Sequence, residues 1–123
     1  MTEPTEAQVQ ASILRYLKFH SRVVWAARFN SGAMVKESEE GSKNRRYIRF
    51  NTLPGCPDIL GMLDDGRIIA IEVKRQSWRK PTCDREKIQG SFLKLCREHG
   101  AVALFARRIE DVATAIAEST IGE

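Results

Sequence analysis

Two short apolar runs joined by a turn set the tightest limit on how this chain can fold. Ile59-Leu60-Gly61-Met62-Leu63 and Ile68-Ile69-Ala70-Ile71 are separated by Asp64-Asp65-Gly66-Arg67. Pro57-Asp58 opens the first run, and Glu72-Val73-Lys74 closes the second. Runs of this length, rich in branched aliphatic residues and bounded by turn formers, predict a β-hairpin. Side chains alternate between the two faces of a strand, so loop length decides which residues meet. A two-residue loop at Asp65-Gly66 would set Asp58 against Val73 and put Glu72 on the opposite side. A three-residue loop, Asp64 to Gly66, pairs Leu63 with Arg67 and Asp58 with Glu72. Such loops commonly end in a residue with positive φ, which suits Gly66. The sequence therefore predicts the odd-numbered loop. Both faces of the hairpin are largely apolar, which requires helices on each side of the sheet.

In that register Asp58, Glu72 and Lys74 share one face. Carboxylates on neighbouring strands are hard oxygen donors, suited to Mg²⁺ or Mn²⁺ rather than zinc. A cation held there would polarise a phosphoryl oxygen and lower the pKa of a bound water. A lysine two residues along could position or deprotonate that water. The pattern reads as a phosphodiester-hydrolase site. Taken singly, Asp58 is equally a turn acid at a strand start, and Glu72 with Lys74 a surface ion pair. The combination carries the reading.

Charge is distributed to match. The 123-residue chain has a net charge of +4 and a pI near 9.2. Residues 43–50 hold Lys43, Arg45, Arg46 and Arg49 with no acid. Residues 74–87 hold Lys74, Arg75, Arg79, Lys80, Arg85 and Lys87 against Asp84 and Glu86. A basic rim around an acidic centre suits nucleic acid, with cations on the phosphates and acids on a metal. From these stretches Arg45, Arg46, Arg75, Arg79 and Lys80 are candidate DNA contacts. Three cysteines without CxxC spacing argue against a disulfide framework or structural zinc, and two histidines are too few for a histidine-based nuclease. No apolar stretch approaches the ~20 residues that span a bilayer, and the start of the chain is not a signal peptide. A cytosolic location and a single domain over 1–123 are expected.

Around the hairpin the pattern predicts a helix capped by Thr5 and Gln8, with Val9, Ile13, Tyr16 and Leu17 at helical spacing to about residue 20. A strand follows over Val23 to Phe29, then a polar loop over 31–44, and a short strand at Tyr47 to Phe50. A second helix is predicted after Thr82 or Asp84, either of which can cap it, with Ile88, Phe92, Leu95 and His99 on its buried face and Gly100 as its stop. Ala101 to Ala106 reads as a buried strand, and residues 110–118 as a final helix built on Val112, Ala113 and Ile116. Tyr47 and Trp78 could stack on bases or pack in a core or dimer.

This order, with Pro57-Asp58 and Glu72-Val73-Lys74 on its central hairpin, resembles the PD-(D/E)xK nuclease superfamily. More specifically it resembles the VRR-NUC family, the virus-type replication-repair nucleases, in their small stand-alone viral form. The matching features run from Glu6 to about Asp111. They are Glu6, Arg28 with Asn30-Ser31-Gly32, Gly55-Cys56-Pro57-Asp58-Ile59, Ile71-Glu72-Val73-Lys74, and Gln89 before Phe92-Leu93, with Gly100 beyond. The resemblance implies an α/β fold, a mixed β-sheet flanked by helices with an αβββαβ restriction-endonuclease-like core. It implies Mg²⁺ or Mn²⁺ dependence and cleavage of branched, Holliday-junction-like DNA by a homodimer, in the cytoplasm of a host cell. It places Glu6, Asp58, Glu72 and the Val73 carbonyl on the metal, gives Lys74 the catalytic role and Gln89 a supporting one, and sets Arg28 and Asn30 near the substrate. The insertion at 31–44 is longer than the family core needs. The rival readings are a non-catalytic nucleic-acid-binding module on the same fold, and an RNA-directed or restriction-type nuclease, the latter lacking a separate specificity domain.

Overall fold

The computed structural model describes residues 2–29, 33–37, 45–49 and 53–119. The elements run α1 (Glu6–Phe19), β1 (Val23–Arg28), β2 (Ala33–Glu37), β3 (Arg45–Arg49), β4 (Ile59–Leu63), β5 (Ile68–Val73), α2 (Asp84–Glu98), β6 (Val102–Ala106) and α3 (Ile109–Ser119). Four strands form one mixed sheet in the order β1-β4-β5-β6, and β2 pairs with β3 in a separate two-stranded ladder. The architecture is α/β, as the hairpin and its flanking periodicities predict.

The hairpin adopts the odd-numbered loop. Leu63 N donates to Arg67 O at 2.9 Å, and Gly66 N to Leu63 O at 2.9 Å, with Gly66 at φ 91°. The ladder then pairs Ile59 with Ile71, Leu60 with Ala70 and Gly61 with Ile69. β5 is one of the two inner strands, antiparallel to β4 and parallel to β6. Its alternation feeds two cores. Ile69, Ile71 and Val73 point to the face covered by α1 and α3, where they meet Val9, Ile13, Leu17, Ile59, Leu63, Val112 and Ile116. Ala70 points to the opposite face, against Leu93 of α2 and Ala103 of β6. Each fully buried aliphatic side chain contributes about 1.5–3 kcal/mol, so the first, larger cluster fixes β5 from behind.

The helix ends follow their local chemistry. Thr5 Oγ1 accepts from Gln8 N and Thr5 N donates to Gln8 Oε1, the reciprocal capping box expected at α1. Gly100, at φ 97°, stops α2. At the start of α2 the expectation is corrected. Cys83 occupies the cap with no side-chain bond, so neither Thr82 nor Asp84 caps it. Instead Glu86 reaches back to accept from Thr82 N at 3.1 Å. Its buried face also differs, since Gln89 and Leu93 are the buried residues while Ile88 and Leu95 stand 48% and 54% exposed. The helix is rotated by about one position from the apolar count, because Gln89 finds polar partners inside. The expected loop over 31–44 contains β2, whose five residues pair in register with β3 from Ala33–Arg49 to Glu37–Arg45. That adds one strand to the predicted order. Among the described residues, no helix is long and apolar enough to cross a membrane.

Gly55 and Gly66 both hold positive φ but differ in surroundings. A Cβ on Gly55 (φ 77°) would lie 2.8 Å from the Ile88 carbonyl oxygen and 3.0 Å from Phe92 Cβ, whereas one on Gly66 would meet nothing within 4 Å. Gly66→Ala is expected to cost only backbone strain, about 1–2 kcal/mol. Gly55→Ala adds a clash with the backbone of α2 and is expected to cost about 2–5 kcal/mol. Urea midpoints of the two variants check this, and equal midpoints would show that the Gly55 turn is not wedged against α2.

Candidate active site

Asp58 sits just before β4 and is tied to its neighbours on both sides. Its N–H donates to Ile71 O at 3.0 Å, and its carbonyl accepts from Phe29 N at 2.7 Å. Its side chain turns across the hairpin, where Oδ2 accepts from Val73 N at 2.8 Å. Extending the β4–β5 register by one residue sets Asp58 opposite Glu72. Cross-strand partners share a face, and Glu72 and Lys74 share it by their spacing of two. The three groups expected on one face are therefore brought together there. It is the face covered by α2, and from α2 comes Gln89.

Gln89 links the acid to the amine. Its Nε2 donates to Glu72 Oε1 at 3.1 Å, and its Oε1 accepts from Lys74 Nζ at 3.0 Å. All three side chains are buried, with Glu72 at 4%, Lys74 at 6% and Gln89 at 5% exposure. The Lys74 ammonium also lies 3.6 Å from Glu86 Oε2 and near the faces of Trp78 and Phe105, 5.8 and 5.9 Å from their ring centres. Trp78 packs on Phe105 at 4.7 Å between centres and donates Nε1–H to Glu86 Oε2 at 3.1 Å. Trp78 thus packs as one wall of the site.

A buried carboxyl group in contact with a half-buried one cannot share a site with both charged at little cost. Burial first, then the charge of Asp58 and a proton shared with it, push Glu72 from an ordinary 4.5 up to about 9, against weaker pulls from Lys74 and Arg85. With both carboxyls ionised, Glu72 Oε2 is buried and has no hydrogen-bond partner. An acceptor without a donor, beside a second carboxylate, is what a hard divalent cation would satisfy. The donor set of Asp58 and Glu72 fits Mg²⁺ or Mn²⁺. Cys56, buried next to the pair, has its thiol pushed up to about 11, by burial first and then by Glu72 and Asp58. It is a filler and not a nucleophile.

The remaining predicted residues are placed as follows. Glu6 lies exposed in the first turn of α1, on the helix that covers the opposite face. Among the described residues, no group of three or more acidic, histidine or cysteine side chains gathers so as to hold a metal, and Glu6 does not complete one. Val73 turns its side chain into the core and meets Asp58 through its N–H. Arg28 is exposed and donates to Gln10 Oε1 at 3.1 Å, while Gln10 Nε2 approaches the Asp58 carbonyl at 3.5 Å. Arg75, Arg79 and Lys80 are exposed on the connection from β5 to α2. Arg107 Nη1 ties that connection down by donating to Trp78 O at 2.9 Å. Asn30 lies outside the described residues, as do the side chains of Arg45 and Arg46.

Two residues at the site escaped the sequence reading, Gln10 and Glu86. Glu86 precedes Gln89 by three, the spacing that puts two side chains on one helix face, and that was the available signal. Gln10 had none. No family model, curated protein or solved structure matches this chain. The likeness to the VRR-NUC nucleases rests on the motifs themselves.

The raised Glu72 fixes a pH dependence. Between about pH 4.5 and 9 the folded protein holds a proton on Glu72 that the unfolded chain does not. Stability from this group is therefore complete below pH 4.5 and is lost as pH rises toward 9. The melting temperature of the protein in EDTA is expected to fall across this range, each kcal/mol lost being about 3–6 °C in a chain of this size. Glu72→Gln should flatten the fall, and Mn²⁺ should flatten it in the unaltered protein. A slope that persists unchanged in Glu72→Gln would assign the titration elsewhere.

Proposed function

We propose that this chain is a divalent-metal-dependent DNA endonuclease of the VRR-NUC type, hydrolysing phosphodiesters and acting on branched DNA as a homodimer. The observation that carries the proposal is the buried Glu72 against the half-buried Asp58, with a carboxylate oxygen that lacks a donor, beside a lysine ammonium held at 3.0 Å by Gln89. Asp58 and Glu72 would hold Mg²⁺ or Mn²⁺, with the Val73 carbonyl as the further ligand that the resemblance implies. Bound there, the cation would supply a polarised phosphoryl oxygen and a water of lowered pKa.

The chain's own residues would do the rest. Val73 N–H holds Asp58 in place across the hairpin, so one ligand is preset by the backbone. Gln89 orients Glu72 and Lys74 together, since one amide bonds both. Lys74 brings an ammonium into a wall of Trp78 and Phe105, where water is scarce and its charge acts at higher strength on a phosphate or a developing hydroxide. Arg75, Arg79 and Lys80, exposed on the adjoining connection, would meet the DNA backbone. A second reading, a non-catalytic nucleic-acid-binding module, draws on one observation: Glu6 is not gathered with the pair.

Cleavage of a four-way junction tests the choice. With Mg²⁺ or Mn²⁺ the protein is expected to nick the junction. Asp58→Asn and Lys74→Met should each lower the rate by about 100-fold or more while leaving binding in Ca²⁺ within a fewfold. Binding without cutting of any DNA form, unchanged by EDTA, would favour the binding module. In the same samples Arg75→Ala, Arg79→Ala and Lys80→Ala should each reduce the slope of log affinity against log salt by about 1. Light scattering should return twice the chain mass of 13.9 kDa, and a monomer would remove the dimer from the proposal.

A further inference from the structure

Glu86 gathers four donors from three places in the chain. Its Oε1 accepts from Thr82 N at 3.1 Å and Thr82 Oγ1 at 3.4 Å. Its Oε2 accepts from Trp78 Nε1 at 3.1 Å and lies 3.6 Å from Lys74 Nζ. These donors belong to the end of β5, the middle of the basic connection and the residue before the α2 cap. A carboxylate that only needed to favour the helix N-terminus would serve equally well facing solvent. This one turns inward, and its side chain is 18% exposed against 7% for that of Lys74.

We infer that Glu86 is the positioning residue for Lys74, fixing the ammonium together with Gln89 and coupling it to the connection that carries Arg75, Arg79 and Lys80. The inference deepens the proposed nuclease reading and rests on it for its catalytic consequence, though not for the contact itself. Gln89 alone leaves Lys74 Nζ with one acceptor on a long flexible stem, and an ammonium has three donors to place. Glu86 supplies a charged second acceptor one helical turn away, at a spacing of three from Gln89, so the two grip Lys74 from one face of α2. The same oxygen takes the Trp78 indole N–H. A movement of the connection that shifts Trp78 therefore shifts the acceptor that Lys74 depends on. Phosphate bound by the arginines of the connection would reach the lysine by this route.

Two measurements test the inference separately from the nuclease reading. The first is acetylation of Lys74 by a soluble acylating reagent, followed by mass spectrometry, which needs no enzymatic activity. Glu86→Gln is expected to raise the labelling rate at Lys74 by about fivefold, the effect of losing one ion pair, with labelling of the exposed Lys80 unchanged. The second is junction cleavage. Glu86→Gln should lower kcat by about 10- to 100-fold, as loss of a supporting partner does, with KM nearly unchanged, and Glu86→Asp should recover part of the loss. Trp78→Phe, which keeps an aromatic ring but removes the indole N–H, should show smaller changes in the same direction and carries both tests if Glu86→Gln does not fold. Unchanged labelling of Lys74 overturns the inference whatever the enzyme does. Faster labelling with no cleavage by the unaltered protein keeps the contact and overturns the nuclease reading. Faster labelling with kcat within twofold of the unaltered enzyme overturns the catalytic consequence alone.

Discussion

Everything at the candidate site follows from two carboxyl groups being forced together by a hairpin register. Asp58 and Glu72 face each other because three residues, not two, close the turn between β4 and β5. Out of water, such a pair needs a proton, a cation or an ammonium to relieve it. The ammonium is close but does not discharge the task. Lys74 pulls on Glu72 less than burial and Asp58 push, and the net result is a carboxyl raised to about 9. Gln89 stands between the two, spending its amide N–H₂ on the acid and its carbonyl on the amine. The acid–amine contact is thereby replaced by a bridge, which leaves Glu72 Oε2 without a donor. A protein built only to neutralise this pair would let Lys74 reach it directly.

The rigid part of the molecule lies behind the site. On β5, Ile69, Ile71 and Val73 are fully or almost fully buried against α1 and α3. Glu72 and Lys74 alternate with them and inherit their immobility. Lys74 N is further fixed by donating to Ala106 O at 2.9 Å. Polar side chains mounted on a strand whose other face is a packed core hold their geometry better than side chains on loops. The basic connection after Lys74 is of the other kind, exposed, and held at a few points such as Arg107 to Trp78 O and Ser77 to Glu3. The fold thus separates a fixed centre from an adjustable rim.

Much of this was legible in the residues because it depends on local rules. Gly66 and the residue count of the turn settle the register, Thr5 with Gln8 sets the start of α1, and Gly100 ends α2. Asp58, Glu72 and Lys74 then fall on one face by parity alone. What was not legible depends on partners distant in sequence. Counting apolar residues turns α2 to bury Ile88 and Leu95, yet the structure buries Gln89, whose partners lie 15 and 17 residues earlier. A polar residue is buried only where its bonds are made, and periodicity does not record those bonds. The same holds for Glu86, which reads as a helix-start acid until Lys74 and Trp78 are seen beside it. Val35 and its neighbours in β2 sit in a segment too polar to announce a strand, since a two-stranded ladder can be held by backbone pairing with β3.

The contrast between the two acids bears on how a cation would be received. One oxygen of Asp58 is committed to the Val73 N–H, and its backbone is bonded on both sides to Ile71 and Phe29. Glu72 has one oxygen on a side-chain amide, and its buried Oε2 lacks a donor when both carboxyls are ionised. Asp58 is therefore the preset partner and Glu72 the one whose state can change. Asp58 and Glu72 would hold a divalent ion with Glu72 deprotonated, so binding would strengthen as pH rises through the range in which Glu72 loses its proton. Under the proposed reading, a proton and a cation would compete for one buried oxygen, so pH dependence and metal affinity would trace to the same pair of residues.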